Sequence, residues 1–400
     1  METAKKIKKM KLQKITVFVL VLMLGACGSN KKSTVATKEK NNTKESELQQ
    51  TPIPNYLANE KWELQSNLSD DFNYEFKPVN ALVNFGGNKW KNFYHAAWDG
   101  PGVTYWKYDK ISVDGSDLII KSDRWNQAKE SNPIAKSVKM NMPNSGISTG
   151  CITSTNKVKY PVFIEAKVSV TNLALASDVW LLSPDATQEI DIIECYGGKE
   201  PGNAYFAKSI HVSNHSFIRK PFTDYQPRDK GAWIQRKGVD SWGEYCNEVN
   251  GKRRYVRAGV YWKTPFHFEH YIDGELMRVL HHNAVATKVN GVWEYGYPTM
   301  TNGKLDVKQG KQKITQTATS QEFDMNLLQK ASDISTVSII DPYAYQGGKG
   351  YTKELDIIIN VEAQDWHAKA GRMPRDIDLK DPTKNNDMKV DWIRVFKPVQ

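Results

Sequence analysis

Cysteine is scarce, with four in 400 residues, far too few for the disulfide framework of a small secreted scaffold. Long apolar runs are absent as well. The longest, Ile15–Ala26, covers twelve residues and contains Thr16, too short to cross about 30 Å of hydrocarbon as a mature helix. Glycine (26) and proline (17) follow no period and no heptad run is sustained, which excludes collagen and coiled coil. There is no internal repeat, and the histidines, including His281-His282, lack partners at the intervals of a zinc site. What the chain has in quantity is aromatic side chains. Its 12 Trp, 18 Tyr and 13 Phe supply enough core material to exclude disorder along the whole chain.

The formal net charge of +10 would suggest a polyanionic partner if it were spread over the chain, but it is not. Residues 1–26 carry six lysines against Glu2, residues 27–52 carry five against three glutamates, and only +3 remains for residues 53–400. A basic arm before a near-neutral body is not the footprint of a nucleic-acid binder, and no nucleic-acid partner is expected.

The basic arm leads into an export signal. Lysine-rich residues 5–14 followed by Ile15–Ala26 suit the n- and h-regions of a signal peptide. The run ends in Leu24-Gly25-Ala26-Cys27, which resembles the bacterial lipobox. Residues 1–26 are therefore expected to be a lipoprotein signal peptide and Cys27 the acylated new N-terminus, with two or more acyl chains holding it stably in a membrane. A plain secretory signal with an incidental cysteine is the alternative. Residues 27–52 are polar and read as a flexible tether. Gly28 does not resemble an inner-membrane retention signal, so a cell-envelope location at the outer membrane is expected. Cys151, Cys195 and Cys246 then form an odd set, compatible with one disulfide and a free thiol or with three buried thiols.

Residues 53–400 read as one all-β domain. Short β-type runs broken by turn signals recur: Ile111–Val113, Leu118–Ile120, Val162–Val170, Ile190–Ile193, Ala258–Trp262, Phe266–Tyr271, Leu355–Val361 and Val390–Val395. Within Val162–Val168 the residues alternate with period two, and Asp114-Gly115 and Asp273-Gly274 mark hairpin turns. The one helical candidate lies near Phe323–Ala331. Many short strands without βαβ alternation predict an antiparallel β-sandwich or jelly roll. The polar stretches 222–256 and 284–350 are expected to be long insertions bordering a groove.

The densest chemistry lies between Trp180 and Gly198. On a strand, Glu189 and Asp191 share one face and Ile190 and Ile192 the other. A one-residue bulge between Asp191 and Glu194 returns Glu194 to the acidic face, and bulges are frequent beside active sites. Three acids on one face repel, so at least one pKa should be raised. Two glutamates at this spacing suit a retaining glycosidase. A solvated acidic edge strand or a calcium site would show the same residues, although the interleaved isoleucines point to a packed sheet.

Glu189-x-Asp191-x-x-Glu194 is similar to the bulged catalytic signature of glycoside hydrolase family 16, and its surroundings resemble the β-agarases of marine bacteria. The matching stretches are 98–106, 159–166, 175–183, 210–227, 259–262, 271–274, 356–366 and 390–395, in order across the body. The resemblance implies a concanavalin-like jelly roll with a concave substrate cleft, endo-acting on the β-1,4 linkages of agarose. It implies Glu189 as nucleophile, Glu194 as general acid and base with a raised pKa, and Asp191 as hydrogen-bond partner of the nucleophile.

The same resemblance implies sugar contacts. Trp180 would stack on a galactose face, an aromatic plane suiting the C–H face of a pyranose. His215 and Arg219 would donate to ring and hydroxyl oxygens, and Glu362 would accept from a hydroxyl. Trp98 and Trp106 flank Gly100-Pro101-Gly102, one for sugar and one for core, while Trp392 belongs to the core. No cofactor is expected for hydrolysis; Asp391 is the matching candidate for a structural calcium away from the cleft. A monomer acting on agarose or a related red-algal galactan is expected. The rivals are a porphyranase, κ-carrageenase or laminarinase on the same machinery, with residues 252–254 or Arg257 as a sulfate-reading pocket, or a surface glycan binder that does not cut.

Overall fold

Alternation of apolar and polar residues at period two decides this architecture. The computed structural model describes residues 54, 57, 60–125 and 146–399. The signal segment, Cys27 and the tether lie outside the described residues. Residues Thr51–Gln400 form one unit. Among the described residues the unit is dominated by two antiparallel sheets, of nine and twelve strands.

The nine-stranded sheet carries the acidic cluster. Its centre is built from β1 (Cys151–Val158), β2 (Ala176–Leu182), β3 (Gln188–Tyr196), β4 (Ser209–Arg219) and β5 (Leu355–Glu362), in the spatial order β4, β3, β2, β5, β1. One face of these strands supplies Val179, Leu181, Ile190, Ile192, Val212, Ile357 and Ile359 to the main core. The opposing sheet answers with Ile164, Ala166, Val168, Val260, Trp262, Ile393 and Val395. At about 25 cal/mol per Å² of apolar area, burial of these β-branched side chains leaves each strand one allowed register, because a slip by one residue would send the whole apolar set to water.

All eight strand runs anticipated from the sequence are strands, and Asp273-Gly274 turns with positive φ at both residues (50° and 80°), as a two-residue type I′ hairpin requires. Asn290-Gly291, Asn302-Gly303 and Gln309-Gly310 turn in the same left-handed way. These turns explain why the segment 284–350 is not the irregular insertion its polarity suggests. Ala284–Val289, Val292–Pro298 and Ile314–Ser320 extend the twelve-stranded sheet. Helix α1 (Met325–Ile334) packs Leu328 and Ala331 against Trp293, Tyr295 and Val279 on the outer face of that sheet. The stretch 222–256 is likewise ordered: Phe222–Tyr225 and Trp233–Gln235 both pair with β4. The three described cysteines, Cys151, Cys195 and Cys246, are buried free thiols with no disulfide.

Glu165, on the strand Val162–Ser169 of the twelve-stranded sheet, is 1% exposed, and its Oε1 has no hydrogen-bond partner. Burial pushes its carboxyl up to about 7 against the opposing pull of Arg257, 3.9 Å away. A raised acid is favoured neutral in the folded chain, so its contribution is whole below the unfolded pKa and is lost as pH climbs through the folded one. Glu165→Gln should therefore stabilise the protein by about 2 kcal/mol more at pH 8 than at pH 4.5. Urea denaturation at the two pH values checks this, and an equal effect at both would contradict it.

Candidate active site

The main chain of β3 does what the carboxylates need. Its pairing with β4 shifts register between Asp191 and Glu194, and its pairing with β2 shifts between Val179 and Trp180. The bulge brings Glu189, Asp191 and Glu194 to a common cleft of about 940 Å³, while Ile190, Ile192 and Ile193 stay in the core. The neighbouring strands obey the same alternation. Asp178, Trp180 and Leu182 of β2, His211, His215, Phe217 and Arg219 of β4, and Glu362 of β5 all line this cleft. Trp98 lines it as well, whereas Trp106 is fully buried and donates to the Val361 carbonyl at 2.9 Å. The ambiguity between those two tryptophans is thereby resolved. Gly102 lets their loop dock: its φ is +54°, and a Cβ there would lie 2.4 Å from the Asp365 nitrogen, so a side chain would push the loop off the end of β5.

Two histidines face the acids. His215 Nε2 lies 3.2 Å from Asp191 Oδ2 and 3.7 Å from Glu189 Oε1, while its Nδ1 meets Asp224 Oδ1 at 2.8 Å. Although burial opposes the charge, Asp224 and Glu189 raise the His215 pKa well above the usual imidazole value, so it stands as an imidazolium between carboxylates. His215 Nε2 thus sits within reach of both Asp191 and Glu189, where the sequence leads one to expect a direct hydrogen bond between the two acids. On the other side, His211 Nδ1 lies 2.6 Å from Glu194 Oε2, and the Tyr196 hydroxyl donates to Glu194 Oε1 at 2.5 Å.

These partners split the two glutamates. Burial and the nearby Asp191 charge push Glu189 well above the ordinary carboxylate range. Burial also pushes on Glu194, but His211 and the Tyr196 hydroxyl outweigh it and hold the carboxyl below its ordinary value. The raised pKa anticipated for Glu194 is therefore found on Glu189, because burial and the like charge of Asp191 destabilise the Glu189 anion while donors stabilise the Glu194 anion. Burial and Glu194 together bring Glu362 up to about 8, and burial followed by Glu362 raises Asp178 well above the usual range.

The cleft walls are aromatic. Trp180 stacks on Tyr94 at 6.3 Å, and its indole N–H donates to Asn360 Oδ1 at 2.6 Å. Trp98 stands edge-on to Tyr94 at 5.6 Å. Trp233 and Trp366 also line the cleft, with Trp233 stacked on His211 at 4.4 Å. Arg219 lies over Phe217 and Phe222, 5.6 and 5.2 Å from their ring centres, which leaves its guanidinium edge available to hydroxyl oxygens. The hairpin Val307–Gln312 contributes Gly310 and Lys311 to one wall, so part of the segment 284–350 does border the cleft.

Other expectations meet different surroundings. Arg253 is bound to Asp387, Arg254 covers Tyr245, and Arg257 faces Glu165. None lines the cleft, so the proposed sulfate-reading pocket at 252–257 is not there; the strand containing Arg257 belongs to the other sheet. Asp391 is paired with Lys167 at 2.5 Å, and the nearby Asp71 with Arg394 at 2.8 Å. With cations already neutralising these acids, the donor set does not fit a calcium ion there. Among the described residues, the group of side chains arranged as metal ligands is Glu189, Asp191 and His215, where the imidazolium already occupies the place of a cation. Trp392 is 7% exposed, as a core residue should be.

Sequence reading missed His211, Tyr196, Asp178, Asn360, Asp224, Trp233 and Trp366. His211 was within reach, because period two from His215 places residues 211, 213 and 219 on one strand face. Trp233 left no such signal, since its approach depends on a short strand pairing with the start of β4.

Known proteins share this chain's pattern. The family model described as "Beta-porphyranase A-D, GH16 domain" matches residues 62–290. β-Agarase D of Zobellia galactanivorans is 44% identical over 374 residues, 87% of this chain and 73% of that protein. The crystal structure of its catalytic domain superposes with a TM-score of 0.75 at 42% identity, covering 88% of this chain and 98% of that one. An inactivated mutant of β-agarase B in complex with agaro-octaose superposes at 0.59 with 36% identity, covering 88% and 99%.

Removing the His211 donor should raise the Glu194 pKa. His211→Phe is expected to move the alkaline limb of any Glu194-dependent pH–rate profile upward by about one unit, with activity lower at the optimum. A profile that falls in amplitude but keeps its limbs would show that His211 does not tune Glu194.

Proposed function

The chain belongs to glycoside hydrolase family 16, and from that premise we propose that it is an endo-acting β-agarase that cleaves β-1,4 linkages of agarose with retention of configuration. Two carboxyl groups on one bulged strand, flanked by stacking aromatics, carry the mechanism; the 44% identity to a β-agarase across most of the chain carries the substrate. Glu189 attacks the anomeric carbon as Glu194 gives its proton to the departing glycosidic oxygen, leaving a glycosyl ester on Glu189. Glu194 then takes a proton from water, the water oxygen bonds to the anomeric carbon, and the ester bond to Glu189 breaks. The first step needs Glu189 ionised and Glu194 protonated. Positive charge growing at the anomeric carbon favours the Glu189 anion, and His215 beside it supports that anion. Trp180, Trp98, Arg219 and Glu362 bind the sugar chain, and no metal or organic cofactor enters either step.

The family model is named for β-porphyranases, so a sulfated galactan is the second reading. Product analysis of the purified protein and Glu189→Gln on agarose, porphyran, κ-carrageenan and laminarin separates them. Even-numbered neoagaro-oligosaccharides are expected from agarose, reduced about a thousandfold or more in Glu189→Gln. Cleavage of porphyran alone would keep the mechanism and change the substrate. Binding without cleavage of any polymer would leave a glycan binder.

We further propose that residues 1–26 are a lipoprotein signal, that Cys27 is acylated, and that residues 27–52 tether the catalytic domain as a monomer to the outer membrane. The lipobox-like Leu24-Gly25-Ala26-Cys27 supports this reading. In cells fed a labelled fatty acid, the protein should be labelled and sediment with outer membranes, while Cys27→Ala should be unlabelled and soluble. An unlabelled, soluble wild-type protein would contradict the anchor.

A further inference from the structure

Asn360 has a side chain with every polar atom engaged. It is fully buried on β5. Its Oδ1 accepts the Trp180 indole N–H at 2.6 Å, and its Nδ2 donates to Asp178 Oδ2 at 2.8 Å and to Glu362 Oε2 at 3.1 Å. The amide has only one orientation available. Indole N–H donates and never accepts, so the oxygen must face Trp180, which leaves both amide hydrogens for the two carboxyls. Asp178 lies directly across from Asn360 on one side and from Glu194 on the other. Glu194 in turn faces His211. Asn360, Asp178, Glu194 and His211 therefore form one row across four strands.

Asp178 is 4% exposed, and its Oδ1 has no hydrogen-bond partner. Nothing in the double-displacement chemistry uses Asp178 or Asn360. What they touch is the stacking ring of Trp180, the acceptor Glu362 and the flank of Glu194. An unpaired buried oxygen beside several carboxylates costs free energy.

We infer that Asn360 and Asp178 are positioning residues, which lock Trp180 and Glu362 into the relation that seats a galactan residue beside Glu194. This inference rests on the proposed agarase reading. It assigns them to ground-state placement of the sugar, so their loss should appear mainly in KM.

The test is an exchange of donor and acceptor, measured by kinetics on agaro-oligosaccharides. Asn360→Asp keeps an acceptor for the indole but removes the hydrogens offered to Asp178 and Glu362. KM should rise about tenfold, with kcat changed less than about threefold. Asp178→Asn keeps an acceptor for Asn360, so KM should rise clearly less than in Asn360→Asp, by no more than about threefold. The double variant Asn360→Asp with Asp178→Asn returns a donor to the pair from the opposite side, and should recover most of the KM lost in Asn360→Asp alone. A merely structural role would lower Tm in all three and give no recovery. An unchanged KM in Asn360→Asp, or a double variant no better than that single, would overturn the inference. Should Asn360→Asp not fold, Asp178→Ala removes the acceptor of Asn360; a KM about threefold above that of Asp178→Asn supports the pair, and equal KM values in the two variants sink it. A wild-type protein inactive on agarose would instead refute the substrate reading, which keeps the two failures distinct.

Discussion

The register of β3 is the constraint on which the site depends. Ile190, Ile192 and Ile193 are fully buried between the sheets, and moving them to water would cost several kcal/mol. With that face committed, strict alternation would have sent Glu194 into the core. A single shifted pairing between Asp191 and Glu194 returns it to the cleft at the cost of a local break in the ladder. Hydrophobic burial on one side of the strand thus aims three carboxyl groups on the other.

Concentrating acid in a half-buried cleft then has to be balanced. Asp178, Asp191, Glu189, Glu194 and Glu362 share one surface, and two histidines are set against them. His215 sits among three carboxylates and His211 against a fourth. Both lie on β4, four residues apart, so strand geometry supplies the facing imidazoles as it supplies the acids. Held among carboxylates, the His215 imidazole is favoured in its charged form.

Much of this was legible in advance, for a physical reason that can be traced residue by residue. Period-two patterning is a local property, so the strand at Val162–Val168, the acidic face at Glu189 and Asp191 and the apolar run at Ile357–Val361 could be read directly. The bulge was inferable from the clash between alternation and chemistry. Polarity misled in the segment 284–350, where strands and a helix with one wet face cover the outside of the second sheet. The basic residues 252–257 misled too, since charge reveals nothing about which side of a sandwich a strand faces.

Short-range pattern by itself determined the all-β class, the main strand positions and the three acids, because each is encoded within a few neighbouring residues. The tertiary structure alone decided which of Trp98 and Trp106 meets the cleft, where the hydrogen bonds of Asn360 go, and which glutamate is favoured in its protonated form. Those outcomes arise where β2, β3, β4 and β5, spread over residues 176–362, are brought side by side. Burial and the electrostatic interaction between carboxylates depend on distance through space, which separation along the chain does not record.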